Sequence, residues 1–272
     1  MTVDGRDTAT YWEERARPHL GTSEEFQSVS GTGLPLWVGR SIHRLEKRGV
    51  RALARCLPGG CVLDVGCGYG RWLPITGRGR TVFGMDFTPS MIARASQLHG
   101  APVMVADARH IPVRGASVEA VYTVKVLQFL PQHERAAAIR ELFGAVPPGG
   151  IVALLEKVSG GDGSPPDRWR RWAEEAGGTM VCWSGNQYVP LDRLLNALVR
   201  RVRGFSERSG SSDWHDLARN VQPVRDRKPR LFGTYMAIRG VLLRVSLVLE
   251  PVIERACSPR WAEHGLFVFR KT

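Results

Sequence analysis

Cysteine is scarce in this 272-residue chain, and its placement excludes two kinds of chemistry. The five cysteines, Cys56, Cys61, Cys67, Cys182 and Cys257, are odd in number and scattered. None forms a C-x-x-C pair or a Cys/His cluster with zinc spacing, so neither a zinc framework nor a disulfide scaffold is expected. They read as buried thiols in a reducing compartment, which makes a cytoplasmic location the expectation. A long apolar run is also missing. The longest, 231–252, is broken by Arg239, Arg244 and Glu250, which argues against a membrane span. The opening MTVDGRDTATYWEERARPHL lacks the apolar core of a secretory signal. No internal repeat or low-complexity tract is present.

Acidic residues are outnumbered. The formal charge is +12 and the pI about 10.2, which permits nucleic acid, an anionic membrane surface or an anionic small substrate as partner. The basic residues are mostly arginines spread along the whole length. A nucleic-acid groove needs a focused basic stripe, so a nucleic-acid partner is disfavoured. With 43% hydrophobic and 24% charged residues, the chain suits one α/β domain with an elaboration, or two small domains.

What is present is a regular alternation of short apolar runs and helical patterns. Residues 35–56 carry apolar side chains at helical spacing with Arg and Lys between them, an amphipathic helix with a basic outer face stopped by Pro58-Gly59-Gly60. Strands are expected at 61–65, 81–85, 103–105, 118–124 and 151–155, then 179–183 and 266–269. Helices are expected from Arg71, at 89–98, 132–143 and 165–176. Short buried strands alternating with helices mean a parallel sheet covered on both faces. Functional residues then belong at the carboxyl ends of the strands. Two further helical patterns, 191–202 and 231–256, joined by the polar link 206–230, read as a helical insertion. The chain is therefore divided into an N-terminal helical cap (1–57), a cofactor-binding core (58–189), an insertion or lid (190–262) and a last strand (263–272).

The central motif is VLDVGCGYG, residues 62–70. Glycines at 66, 68 and 70 allow a tight turn with positive φ and close approach of a ligand to the backbone. An ordinary strand-to-helix turn would use glycine too. The D-x-G-x-G-x-G run resembles the first motif of class I S-adenosylmethionine-dependent methyltransferases. The resemblance extends to four later places. Asp86 ends the second strand twenty residues beyond Gly66, in MDFTPSMI. Asp107 ends the third in VADARHIPV. LFGAVPPGGIVALLE resembles the family's Pro-Gly-Gly turn before its fifth strand. The HGLFVFRK segment fits the family's last strand, antiparallel and inserted between its neighbours.

That resemblance implies a doubly wound, Rossmann-like sheet of seven strands with the last antiparallel, and S-adenosylmethionine as cofactor. It implies that Gly66, Cys67, Gly68 and Gly70 pass under the methionine moiety, with Asp64 near its amino group. It implies Asp86 on the ribose hydroxyls, Phe87 against the adenine, Asp107 and the Ala108 N–H on the adenine edge, and Thr123 and Val124 at the methionine end. Tyr11, beside Trp12, falls where the family has an aromatic segment covering the cofactor. No metal is implied. A solvated loop Asp at 86, or a helix-capping Asp at 107, would account for those residues without a ligand.

The chain departs from the family after the fourth strand. The family often shows D-x-V-x-S-x-x-V-L-E/H-H there, whereas EAVYTVKVLQFLP has Lys125 just before Val126-Leu127 and Phe129 at the usual His position, and a familiar candidate base is lost. Lys125 is then either a charge near the methyl acceptor or a snorkelling surface residue. Among His19, His43, His133, His215 and His264, His215 in SSDWHDLARN is the strongest candidate base, although a helix cap explains the same segment. The expected function is methyl transfer to an O or N atom of a small molecule such as a secondary metabolite or sugar, which the charge balance allows to be anionic. The insertion and the helix at 35–56 are expected to wall the acceptor site. The alternatives are an RNA or other nucleic-acid methyltransferase, and a methyltransferase fold whose 231–256 helix serves membrane-surface binding or oligomerisation.

Overall fold

The computed structural model describes residues 2–3, 6–29, 35–159, 163–188 and 229–272. Its centre is a seven-stranded sheet of β1 (Gly60–Val65), β2 (Arg80–Asp86), β3 (Val103–Val105), β4 (Ala120–Val124), β5 (Ile151–Lys157), β6 (Gly178–Asn186) and β7 (His264–Lys271). The order is β3-β2-β1-β4-β5-β7-β6. The first five strands are parallel, and β7 enters antiparallel between β5 and β6. This is the Rossmann-like sheet with an inverted last strand that the sequence led us to expect. The strand order reverses at β1/β4, so a crevice opens at the carboxyl ends of these two strands.

The strands are short and apolar because both faces are buried. On one face Leu63, Val121 and Leu154 pack with α5 (Gln132–Ala145) and α6 (Pro166–Glu175). On the other, Val62, Tyr122 and Leu155 pack with α2 (Leu36–Cys56) and α3 (Leu73–Thr76). Helix α1 (Thr8–Ala16) and α4 (Pro89–His99) lie beside the glycine loop, where Ala16, Tyr69 and Met91 form a small cluster. Gly100, in the left-handed conformation at φ 56°, ends α4 as its sequence suggests.

Helix α7 (Pro229–Ala256) lies on α2, with Tyr235, Met236 and Leu243 against Val38, Ile42 and Leu45. Glu250 anchors it. One oxygen accepts from the Gln187 N–H at 2.8 Å and the other from Arg48 at 3.0 Å. No helix among the described residues is long and apolar enough to cross a membrane. The cysteines correct one expectation. Cys67 is buried and Cys56 and Cys61 are half-buried, but Cys182 and Cys257 are exposed. His215, the 191–202 pattern and nearly all of the 206–230 link lie outside the described residues.

Candidate functional site

The crevice holds a cavity of about 270 Å³. Its floor is the glycine loop. The strand β1 ends at Val65, and the backbone turns through Gly66 (φ 77°) and Gly68 (φ 56°), which L side chains rarely adopt. The Gly66 and Cys67 N–H groups both donate to the Met85 carbonyl, at 2.7 and 2.9 Å, tying the loop to β2. The two glycines serve different ends. A Cβ on Gly66 would lie 2.3 Å from Val126 Cγ2, so that glycine makes room for the loop after β4. A Cβ on Gly68 would meet only Val29 and Met91, at 3.6 and 3.8 Å, so that glycine leaves the cavity floor bare. Gly70 does not line the cavity; a Cβ there would press on His99 at 2.7 Å.

Asp86 lies at the cavity wall. One oxygen accepts from the Gly68 N–H at 3.0 Å and the other from the Thr88 N–H at 2.9 Å. These bonds fix the carboxylate and use about one lone pair on each oxygen, so a second acceptor position on each remains for a pair of hydroxyls. Burial raises its pKa, opposed by the Thr88 and Gly68 bonds. Phe87 and Ala108 also line the cavity, as does Asp107. Asp107 is already engaged: both its oxygens accept from Arg109, at 2.5–3.0 Å, and Arg109 also pairs with Glu134 at 3.1 Å. Burial alone would raise the Asp107 pKa, but the Arg109 bonds and charge lower it. Arg109 thus already occupies the carboxylate that was expected to meet the adenine edge, a pairing that sequence alone did not show.

Asp64 sits behind the loop, almost wholly buried, and is not among the lining residues. Burial pushes its pKa up to about 7; the Tyr122 hydrogen bond pulls it down and the Asp86 charge adds to the rise. Its Oδ2 is buried without a hydrogen-bond partner among the described residues. A buried carboxylate oxygen left unsatisfied is costly. A cationic amino group, reached directly or through water, would satisfy it. That orphaned oxygen, the bare Gly68 and the part-used Asp86 fit the amino-acid tail and ribose of S-adenosylmethionine.

The loop after β4 forms the opposite wall. Val124, Lys125 and Val126 line the cavity, whereas Thr123 does not. The Thr123 hydroxyl instead donates to Glu156 Oε1 at 2.8 Å. The same buried carboxylate accepts the N–H groups of Val126, Leu127 and Gln128 at 3.1–3.3 Å. Burial raises the Glu156 pKa against these bonds. Glu156 thereby fixes the backbone that presents Lys125, whose own N–H donates to the Leu155 carbonyl at 2.8 Å. Lys125 has φ 60°, a strained conformation for a non-glycine residue, held by bonds on both sides.

Lys125 is no free surface charge. Its Nζ donates to Glu46 Oε1 at 2.6 Å, and Arg71 Nη2 donates to Glu46 Oε2 at 2.5 Å. Glu46 is 1% exposed in its side chain, and all three residues line the cavity. Burial opposes ionisation of Glu46, but the charges of Arg71 and Lys125 and their hydrogen bonds hold its pKa well below the usual range. Neither Glu46 nor Glu156 was found by sequence reasoning, although a signal existed. Glu46 falls on the apolar stripe of α2 with Ile42, Leu45, Val50 and Leu53, and Glu156 continues the apolar run of β5. A charge on a buried face is expected to have a function or a partner.

The roof is aromatic. Trp12 of α1 meets Phe129 edge-on with ring centroids 5.0 Å apart, and both line the cavity. Tyr11, the expected cover, is not a lining residue; its hydroxyl accepts from Arg15 at 2.8 Å. The faces of α1 explain the exchange: Thr8 and Trp12, one turn apart, share the inward side. Of the described histidines, none lines the cavity. His43 stacks on Trp72 and is held near pKa 4 by burial and the Arg71 charge, so it is neutral at pH 7. Helix α7, expected to help wall the acceptor site, contributes no lining residue; α2 does so through Glu46.

Residues 63–154 match the model of a methyltransferase domain. Among curated proteins, the chain is 35% identical over 112 residues to the carboxy-S-adenosyl-L-methionine synthase of Chromohalobacter salexigens, covering 37% of this chain and 41% of that one. It is 38% identical over 109 residues to the tRNA (carboxymethyluridine(34)-5-O)-methyltransferase of Arabidopsis thaliana, covering 39% of this chain and 26% of that one. The chain thus spans well under two thirds of either relative. Among solved structures, a chain of the complex of the Trm112 methyltransferase activator of Haloferax volcanii aligns over 99% of both chains, with TM-score 0.53 and 14% identity. That likeness is one of fold.

Proposed function

We propose that this chain, which carries a class I S-adenosylmethionine-dependent methyltransferase domain, moves a methyl group to an oxygen or nitrogen of a small acceptor bound in the same cavity. The sulfonium of the cofactor supplies an already activated methyl carbon. The chain has to exclude water and align the acceptor, and it needs no strong base. Asp86 holds the ribose in this reading, the Gly66–Gly68 backbone supports the methionine moiety, and Asp64 faces the amino group. Asp107 and the Ala108 N–H serve the adenine edge, with Arg109 sharing the Asp107 carboxylate. Lys125 lies on the acceptor side, and His215 is the candidate for a proton acceptor.

The observation that carries the small-molecule reading is the Trp12–Phe129 contact. It joins the N-terminal helix to the loop after β4 and gives the cavity an apolar roof, which suits an enclosed ligand better than a polymer lying in a trough. A tRNA acceptor is the second reading, favoured by the Arabidopsis relative and the charge of +12. Incubating the protein with methyl-labelled cofactor and a cell extract split into tRNA and low-mass fractions separates the two. Label in the low-mass fraction supports the first reading, and label in tRNA overturns it.

A further inference from the structure

Two thiols meet where helix α2 lies against the outer strand of the sheet, and neither lines the cavity. Cys56 is the last residue of α2, and Cys182 lies in the middle of β6, which forms one edge of the sheet. The helix runs back along that strand. A Cβ on Gly49 would lie 2.6 Å from Asn186 Oδ1, and about two turns further on the helix reaches Cys56 as the strand reaches Cys182. A β-bulge decides which way Cys182 points. Met180 pairs with Phe269 but Cys182 pairs with Val268, so Val181 is an extra residue in β6. An unbulged strand would set Cys182 opposite Phe267, on the face that packs with α5 and α6. The bulge sets it beside Val268, on the face that α2 covers, and Cys56 packs against the cluster that contains Val268. Burial raises the Cys182 pKa, and the charge of Cys56 and a hydrogen bond to it add to the rise, as expected of thiols in contact. The Cys56 thiol itself donates to the Ala52 carbonyl at 3.5 Å, which holds its sulfur at the helix end. Cys182 is exposed and Cys56 half-buried, so a small oxidant meets Cys182 first.

We infer that Cys56 and Cys182 are a modification site, a dithiol that hydrogen peroxide converts into a disulfide joining α2 to β6. The inference is independent of the cofactor reading. In the first step the Cys182 thiolate attacks one peroxide oxygen. The O–O bond breaks, Cys182 becomes a sulfenic acid, and the other oxygen leaves as hydroxide. In the second step the Cys56 sulfur attacks the Cys182 sulfur. The S–S bond forms, the S–O bond breaks, and a second hydroxide leaves. The two thiol protons complete two waters, and the two electrons lost by the sulfurs are gained by the peroxide. The bond closes residues 57–181 into one loop, which restricts the unfolded chain far more than the folded one. Low-mass thiols of a reducing compartment reopen it by exchange, so the link is a reversible one.

The test treats the reduced full chain with hydrogen peroxide and counts free thiols after denaturation. The count should fall from five to three. Mass spectrometry of an unreduced tryptic digest should find peptides 56–71 and 172–193 joined, with fragment ions that place the link on Cys56 and not on Cys61 or Cys67. The melting midpoint of the oxidised protein should rise by about 5 °C or more and return with dithiothreitol. Cys56→Ser and Cys182→Ser, which in reduced form should melt close to reduced wild type, should give neither the link nor the rise. Cys257→Ser should behave as wild type does. An unchanged thiol count overturns the inference. So does a link between other cysteines or between two chains, or oxidation of Cys182 alone to the sulfinic acid. A link that forms in wild type without raising the melting midpoint also overturns it, because the two sulfurs would then have been drawn together against the fold.

Discussion

The two walls of the cavity are built in opposite ways. The wall assigned to the cofactor comes from a contiguous stretch, Gly66 to Tyr69, and from Asp86 one strand away, and backbone N–H groups tie it together. The facing wall is assembled from α1, α2 and the loop after β4, and its Lys125–Glu46 pair joins side chains 79 positions apart in sequence. At Gly66 the backbone-made wall has no room for an added atom. A side-chain-made wall can change partners while the fold stays.

The largest expected effect follows from that contrast. Gly66→Ala sets a methyl group 2.3 Å from Val126 at φ 77°. Overpacking and the left-handed backbone together should cost about 2–4 kcal/mol. Denaturant titration measures it. A loss under 0.5 kcal/mol would mean that the two walls do not interlock as described.

Gly68→Ala sharpens the comparison, because its methyl group meets only ordinary contacts. The cost in stability should be about 1 kcal/mol, from the left-handed backbone. S-adenosylhomocysteine affinity should fall tenfold or more, since the side chain stands on the cavity floor. Equal affinity in a folded variant would move the ligand off that floor.

A smaller effect is expected from Asp64. Its pKa is raised to about 7 by burial, against about 3.9 in an unfolded chain. Between those values the folded chain keeps a proton that the unfolded chain has released, so stability falls as pH rises from about 4 to about 7 and is flat above. The ionised carboxylate is the form that attracts an ammonium group, so S-adenosylhomocysteine affinity should rise through pH 7. Asp64→Asn should remove both trends. A pH-independent affinity in wild type would detach Asp64 from the ligand.

This division also explains what could be read from sequence. The strands, their apolar runs and the glycine loop follow from local spacing, and β3 spans the 103–105 run that this spacing predicts. Asp86 was legible because its position is set by the chain length from Gly66. Glu46, Arg71 and Glu156 were not, because their roles depend on which helix packs over which strand end. Trp12 was missed in favour of Tyr11, because one residue of helix rotation decides which ring faces inward. Asp107 was legible in position and not in partnership, since the Arg109 fork that occupies it is a matter of rotamer.

The most direct measurement is calorimetric titration of S-adenosylhomocysteine into wild type and Asp86→Ala. The account predicts one site per chain in wild type. It predicts at least a tenfold loss in the variant, the cost of a single charge-assisted hydrogen bond to a ribose hydroxyl. No binding to wild type, or a variant within twofold of it, would contradict the assignment of this cavity to the cofactor.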